Sequence, residues 1–286
     1  MRKTTKTMRE ELCSETKVLE GKTIGVAGFG HLGSSIVSAL LSRGFPRGRL
    51  LISYGGSAGT LERIRETGLE DRVTDTADLM RQADIAVLAA RPQELLSFRG
   101  LKTSGDSFIL SFMAGVSLAS LHKVFSTNLC RVMCSGPETI DTGMGIGVSF
   151  PSEALPHAVM RAAGLAVFDV SCESELDSFT AGICIPPIIS NMGISREEKD
   201  AAMLMLARRF PIYRELSRWI DDVAAADEGK ANSAALANVS TKGGVTEAMV
   251  SALKDGATFY AAVEAGLERS RQLRDIIKGK LEVSAA

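Results

Sequence analysis

The chain has little that could hold a metal ion or meet a polyanion. Of its 286 residues only three are histidine, His31, His122 and His157, and none stands at metal-ligand spacing from another. The five cysteines, Cys13, Cys130, Cys134, Cys172 and Cys184, are odd in number and form no CxxC pair. That pattern argues against a zinc ribbon and a disulfide framework and for reduced, mostly buried thiols. Neither sign of charge is in surplus, with 33 Lys plus Arg against 34 Asp plus Glu. No nucleic acid and no anionic membrane is therefore expected as partner. No run approaches the roughly 20 apolar residues needed to span a bilayer. The polar leader 1–21 is charged and has no apolar centre, so it is not a secretory signal, and a cytoplasmic protein is expected. What the chain does have is a core: 45% hydrophobic and 23% charged residues suit one large soluble domain or two ordinary ones.

KTIGVAGFGHLGSSIVSALLSRG, from Lys22 to Gly44, carries the first motif. Ile24, Val26 and Ala27 form a short apolar strand without polar alternation, the pattern of a strand covered on both faces. Gly28, Gly30 and Gly33 follow in G-x-G-x-x-G spacing, with Phe29, His31 and Leu32 between them. Ile36, Leu40 and Leu41 then recur at helical intervals, and Gly44 is a fitting stop. With a strand before it and a helix after it, the motif reads as a dinucleotide loop. The glycines would provide a tight turn, room for a pyrophosphate, and close packing of helix on strand. A structural turn without ligand is the alternative.

The next strand is expected at Arg49 to Tyr54. An NAD site ends this strand with a carboxylate for the ribose hydroxyls, whereas here Ser53, Tyr54, Gly55, Gly56 and Ser57 stand in that place. With no carboxylate to repel a 2′-phosphate, and with Ser53 and Ser57 able to donate to it, NADP is favoured and NAD stays possible. Further strands are read at Ile85 to Ala89, ahead of Ala90, Arg91 and Pro92, and at Phe108 to Phe112, ahead of Met113, Ala114 and Gly115. LCRVMC supplies another, and Ile146 to Phe150 another. Helices alternating with buried strands give a mostly parallel sheet, and ligands lie beyond the carboxyl ends of its strands.

From about Ser174 the strand signals fade and Ala-, Leu- and Met-rich segments take over, Met203, Leu204, Leu206 and Ala207 among them. The division expected is a leader 1–21, a dinucleotide-binding domain 22–173 and a helical domain 174–286. The last segment, from Met249, is amphipathic with polar interruptions, and its apolar stripe needs a partner surface, in its own domain or on a second subunit. Within NVSTKGGVTEAM a second glycine pair, Gly243 and Gly244, precedes Val245, Thr246 and a helical run. Free N–H groups at Gly244, Val245 and Thr246, with the Thr246 hydroxyl, would suit an anion. A helix start without ligand is the bland reading.

Taken in order, GFGHLG, AARPQE, FMAGVSLASL followed by RVM, and STKGGVTEAM followed by RSRQL resemble the pyrroline-5-carboxylate reductase family. The resemblance runs from about Lys22 to Leu273. It implies a Rossmann domain with a mostly parallel sheet, followed by an all-α dimerisation domain. It also implies NAD(P)H-dependent reduction of a cyclic imine such as 1-pyrroline-5-carboxylate, with a homodimer or a higher oligomer as the assembly. The nicotinamide would reach Met113, Ala114 and Gly115, and the substrate carboxylate would sit at Gly243, Gly244, Val245 and Thr246. No residue is assigned a catalytic role, because a protonated imine already carries its own activation.

The departures lie on the substrate side. Ala181-Gly182-Ile183-Cys184-Ile185-Pro186-Pro187 stands where the family has Ser-Gly-Ser-Gly-Pro-Ala, Cys134-Ser135-Gly136-Pro137 where it has Pro-Asn-Thr-Pro, and Lys242 replaces a proline. They point to a bulkier or more apolar ring, or to a non-catalytic NADP-binding sensor or assembly protein. A β-hydroxyacid dehydrogenase is the enzymatic rival and would need Lys199 or Lys230 as proton donor.

Overall fold

The computed structural model of the chain describes residues 17–226 and 243–283. Cys13, Lys230 and the stretch from Asn238 to Lys242 lie outside them. The chain divides into two compact units, one of residues up to Val132 with Gly136–Asp169, the other of Met133–Ser135 with the residues from Val170 on.

In the first unit seven strands form one sheet in the order β2-β1-β3-β4-β5-β6-β7. They are β1 (Ile24–Ala27), β2 (Leu50–Ser53), β3 (Ile85–Leu88), β4 (Phe108–Ser111), β5 (Asn128–Cys134), β6 (Ile146–Phe150) and β7 (Ala166–Phe168). β1 pairs in parallel with β2 and β3, β3 with β4, β4 with β5, and β6 with β7. Every residue of β1, β3 and β4 is buried, as continuous apolar runs require when helices cover both faces. Those helices are α1 (His31–Ser42), α2 (Ala58–Glu66), α3 (Thr76–Gln82), α4 (Leu118–His122), α5 (Pro137–Asp141) and α6 (Ala154–Ala162). The sequence predicts no strand at β7, a run of three apolar residues of which Ala166 is exposed and Val167 and Phe168 are partly buried.

Because the chain steps from β1 outward to β2 and then back past β1 to β3, the order reverses between β1 and β3. A doubly wound sheet opens its ligand crevice at such a point, at the carboxyl ends of the strands. Ala27, Leu88 and Ser111 stand in one row across the register, so the turns after β1, β3 and β4 leave the sheet at one level.

Apart from Met133 and Cys134 at the end of β5, the described elements of the second unit are helical: α7 (Glu175–Ile183), α8 (Ile185–Met192), α9 (Arg196–Arg209), α10 (Ile212–Ala226), α11 (Val245–Lys254) and α12 (Phe259–Val283). Ile212, Tyr213, Leu216, Trp219, Ile220 and Val223 make the buried stripe of α10, at the spacing of one helix face. α7 and α12 are joined through buried Asp177, which accepts a hydrogen bond from Ser270 at 3.0 Å and is ion-paired with Arg274. The amphipathic final segment is two helices rather than one. α11 stops at Lys254, and Gly256, with φ of +86°, turns the chain into α12. No described helix is long and apolar enough to cross a membrane.

Candidate functional site

The first glycine turn sits at the reversal point of the sheet. Gly28 has φ of +101°, and a Cβ there would lie 2.6 Å from the Ala90 amide nitrogen and 2.7 Å from the Ala89 carbonyl. At Gly33 a Cβ would come within 2.0 Å of the Gly28 carbonyl oxygen, so its absence lets α1 seat on the strand. At Gly30 the same test finds nothing within 4 Å; that side of the turn is open. Gly30 is also the N-cap of α1, and among the described residues no side chain caps the helix and no acid lies in its first turn. Free N–H groups at the positive end of a 12-residue helix, beside open space, are an arrangement suited to a phosphate. Phe29 is buried in the core and His31 is exposed, so what this loop offers an anion is its main chain.

The turns around it differ from what the sequence suggests in one respect. Ser53, expected to donate to a ribose phosphate, is buried and accepts a hydrogen bond from the Thr76 hydroxyl at 3.1 Å. Its register opposite Ala27 turns the side chain inward. Ser57 stays exposed, caps α2 by accepting the Thr60 amide at 3.3 Å, and donates to the Thr60 hydroxyl at 2.8 Å. Ala90 lies against Gly28, as noted. Arg91 is exposed and paired with Glu94 at 3.0 Å, and Pro92 opens a short 3₁₀ turn. Beyond β4, Met113 is buried, Ala114 is exposed, and Gly115 takes φ of +73°.

The second glycine turn, in the helical unit, starts α11 with Gly244 as N-cap and no side-chain cap among the described residues. Gly243 has φ of +71°. The exposed Glu247, three positions past the cap, swings back to accept the Gly243 N–H, a variant of the capping-box reach. Arg269 of α12 donates through Nε to the Gly243 carbonyl at 2.7 Å and through Nη1 to Gln272 at 3.2 Å. Val245 and Thr246 are buried. The Thr246 hydroxyl hydrogen-bonds the Cys184 sulfur, and Cys184 in turn donates to the Thr180 carbonyl at 3.2 Å. Thr246 is thus not the added donor to an anion that its position suggests: its hydroxyl is turned into the unit. Near Cys184 the Tyr213 hydroxyl is buried and finds no partner among the described residues. Burial, and after it the neighbouring Cys184, pushes this phenol up and keeps it neutral. The sequence marks Cys184 only as part of the substrate-side departure and Arg269 only as part of RSRQL, and it does not mark Tyr213, although the G-x-x-E spacing of Gly244 and Glu247 was there to be read.

Other chemistry-bearing groups have structural duties. Burial lowers the affinity of Lys199 for its proton, but Asp221 and Asp200, the latter at 3.1 Å, outweigh it and hold the pKa up, the reverse of a proton donor tuned to neutral pH. Ser152 donates to Asp169 at 3.0 Å and lies 3.3 Å from His157 Nε2. With its proton committed to the carboxylate, it is no nucleophile of a Ser-His-Asp relay. No described cluster of His, Cys, Asp and Glu could hold a metal.

Against known proteins, the family model described as NADP oxidoreductase coenzyme F420-dependent matches residues 23–115, the stretch holding the first glycine turn. The pyrroline-5-carboxylate reductase of Pasteurella multocida is 24% identical over 284 residues, spanning 90% of this chain and 100% of that one. The chain is similar to pyrroline-5-carboxylate reductases over nearly its whole length. Two solved reductases share its fold. That of Coxiella burnetii superposes with a TM-score of 0.57 at 20% identity, over 88% of this chain and 98% of its own. That of Plasmodium falciparum, solved with NADP bound, gives 0.54 at 18%, over 89% and 99%. Relative to that family, the departures of this reductase-like chain fall at the end of β5, where Cys134 and Ser135 are buried, and at the α7–α8 junction, where Cys184 meets Thr246.

Proposed function

We propose that this protein reduces a cyclic imine with a nicotinamide cofactor, NADPH in preference to NADH. The observation that carries the reading is the uncapped, acid-free start of α1 at the reversal point of the sheet, with open space at Gly30. Gly28, Gly30 and the first N–H groups of α1 would hold the pyrophosphate. Ala90 to Pro92 and Met113 to Gly115, level with them across the sheet, would line the nicotinamide half. At the end of β2, Tyr54 to Ser57 supply no carboxylate, which leaves a 2′-phosphate unopposed, and the related Plasmodium reductase was solved with NADP. With Ser53 turned inward, Ser57 is the hydroxyl left for that phosphate, and it would exchange its bond to Thr60 for one to the phosphate.

The cofactor supplies the hydride. The protein orients the ring and shuts out water, which accounts for most of the acceleration when the electrophile is already an iminium. The turn at Gly243 to Thr246 receives the imine. No proton donor is required, which agrees with Lys199 being locked in ion pairs and disfavours a β-hydroxyacid dehydrogenase. The same reading includes a homodimer, for which exposed Leu204, Met205 and Ile276 in the helical unit offer an apolar surface.

The test is NADPH consumption by the purified protein across five- and six-membered cyclic imines, with and without a carboxylate. Turnover of any of them is the expected result. NADPH binding without turnover of the whole panel would replace the reductase with a nucleotide sensor.

A further inference from the structure

Between Gly243 and Gly244 lies a peptide with no side chain on either flank. Such a peptide turns about its own axis with little steric resistance, because glycine tolerates both signs of φ. Its two edges are unlike: a planar trans peptide points its C=O and its N–H in opposite directions. One orientation would offer an anion the Gly244 N–H, and the flipped one a carbonyl oxygen. The chain holds this peptide from one edge. Arg269 donates through Nε to the Gly243 carbonyl at 2.7 Å, and its Nη1 donates to Gln272 at 3.2 Å, which steadies the guanidinium plane. Glu247 takes the Gly243 N–H, which belongs to the preceding peptide, and so leaves this one to Arg269. On the opposite edge the Gly244 N–H, at the uncapped start of α11, has no acceptor among the described residues. Arg269 reaches the turn because α12 lies close on α11. A Cβ at Gly266 would stand 2.6 Å from Met249 Cγ and 3.3 Å from Val245 Cγ1, and residues three apart, such as Gly266 and Arg269, share a helix face. Gly243 itself combines φ of +71° with only 3.3 Å between a Cβ and Arg269 Nη2.

We infer that Arg269 is a positioning residue for the substrate: by holding the Gly243 carbonyl it keeps the Gly244 N–H turned outward as a donor for the ring carboxylate. The inference rests on the imine-reductase reading, in which the second glycine turn receives the substrate, and it names the group that sets the polarity of that turn. Arg269 acts through the peptide and not by touching the substrate, since the edge it holds is the one turned away from the Gly244 N–H. The RSRQL segment, 26 residues beyond the turn, thereby has a task at the turn.

The experiment uses Arg269→Met, which keeps an apolar stem and removes the donors. NADPH oxidation is measured with 1-pyrroline-5-carboxylate and with 1-pyrroline, and calorimetry on the NADP⁺-loaded protein compares proline with pyrrolidine. KM for the carboxylated ring and the proline dissociation constant are expected to rise about 10-fold, the effect of losing one N–H bond to a charged acceptor. The values for the rings without a carboxylate, and kcat for both imines, are expected to stay within about 2-fold of the wild type. A crystal structure of the variant is expected to show the Gly243 carbonyl rotated from its wild-type direction, which loss of a direct ion pair would not produce. Should Arg269→Met not fold, Arg269→Lys takes its place: an ammonium lacks the fork that holds Gly243 and Gln272 together, and the same changes are expected at smaller size. An unchanged KM for the carboxylated ring, an equal loss for both rings, or a carbonyl that keeps its direction overturns the inference while imine reduction stands. If no imine turns over, the reductase reading falls, and proline binding with the carbonyl direction still decides the positioning. A wild type that binds neither proline nor pyrrolidine overturns it as well.

Discussion

Two glycine-led helix starts in one chain have been settled in opposite ways. At Gly28 to Gly33 two glycines are required by backbone lying within 3 Å, the third faces open space, and nothing acidic stands in the first turn. At Gly243 to Glu247 the carboxylate of Glu247 takes the Gly243 N–H and the Arg269 guanidinium the Gly243 carbonyl, while no side chain caps Gly244 among the described residues. The two starts therefore differ in charge: the first turn of α1 holds no acid, and that of α11 holds Glu247.

The comparison breaks most readily at Gly33. In Gly33→Ala the new methyl meets the Gly28 carbonyl oxygen at 2.0 Å, so α1 must lift from β1. The expected outcome is a loss of about 3 kcal/mol or more in stability and at least about a 100-fold rise in the NADPH dissociation constant, by denaturant titration and calorimetry. Gly30→Ala, whose methyl meets nothing, should keep the melting temperature and weaken NADPH alone. Equal melting losses in both would mean that the open side of the turn is not where the cofactor lies.

Arg274→Ala tests the other turn through its support. It leaves Asp177, with 5% of its side chain exposed, buried with only Ser270 as partner. An uncompensated buried charge costs about 3–5 kcal/mol, and part of that is recovered here by Ser270 and by solvent reaching the vacated space. A loss of about 2–3 kcal/mol is expected, readable in urea unfolding, with NADPH affinity little changed.

The smallest effect is in the thiols. Burial pushes the Cys134 thiol up to about 12, and burial, with a contribution from Glu153, pushes Cys130 up as well. Both should resist alkylation at pH 8 in the native protein, while exposed Cys172 reacts, as peptide mass mapping would show. The linkage has a definite sign. A thiol raised in the folded state contributes stability below its unfolded pKa near about 8.5, and that contribution is lost as pH rises from there toward 12. The denaturation midpoint should fall between pH 9 and 10, and less so in Cys134→Ala.

The α/β half was legible because its signal is local. Ile24 to Gly33 states strand, turn and helix within ten residues, each glycine with its own duty. The inward turn of Ser53 was not legible, since it depends on the register that sets it opposite Ala27 and on Thr76, 23 residues on. In the helical half the deciding contacts span longer stretches still. Asp177 meets Arg274 across 97 residues, and Cys184 meets Thr246 across 62 positions of the chain; composition and periodicity carry no trace of such pairs. Gly256 was visible as a polar interruption, but whether it bends or divides a helix is settled by its positive φ.

α12 is a rod of 25 residues, about 37 Å long at the usual helical rise, and three of its polar grips fall within six of them. Arg269 faces the second glycine turn, while Ser270 and Arg274, one turn apart, face Asp177. Removing a single residue from the rod ahead of these three would rotate them all by about 100°. Both clasps would come undone in one step. The rod therefore works as a gauge: its phase about its own axis bears on both contacts together, and the second glycine turn inherits that phase.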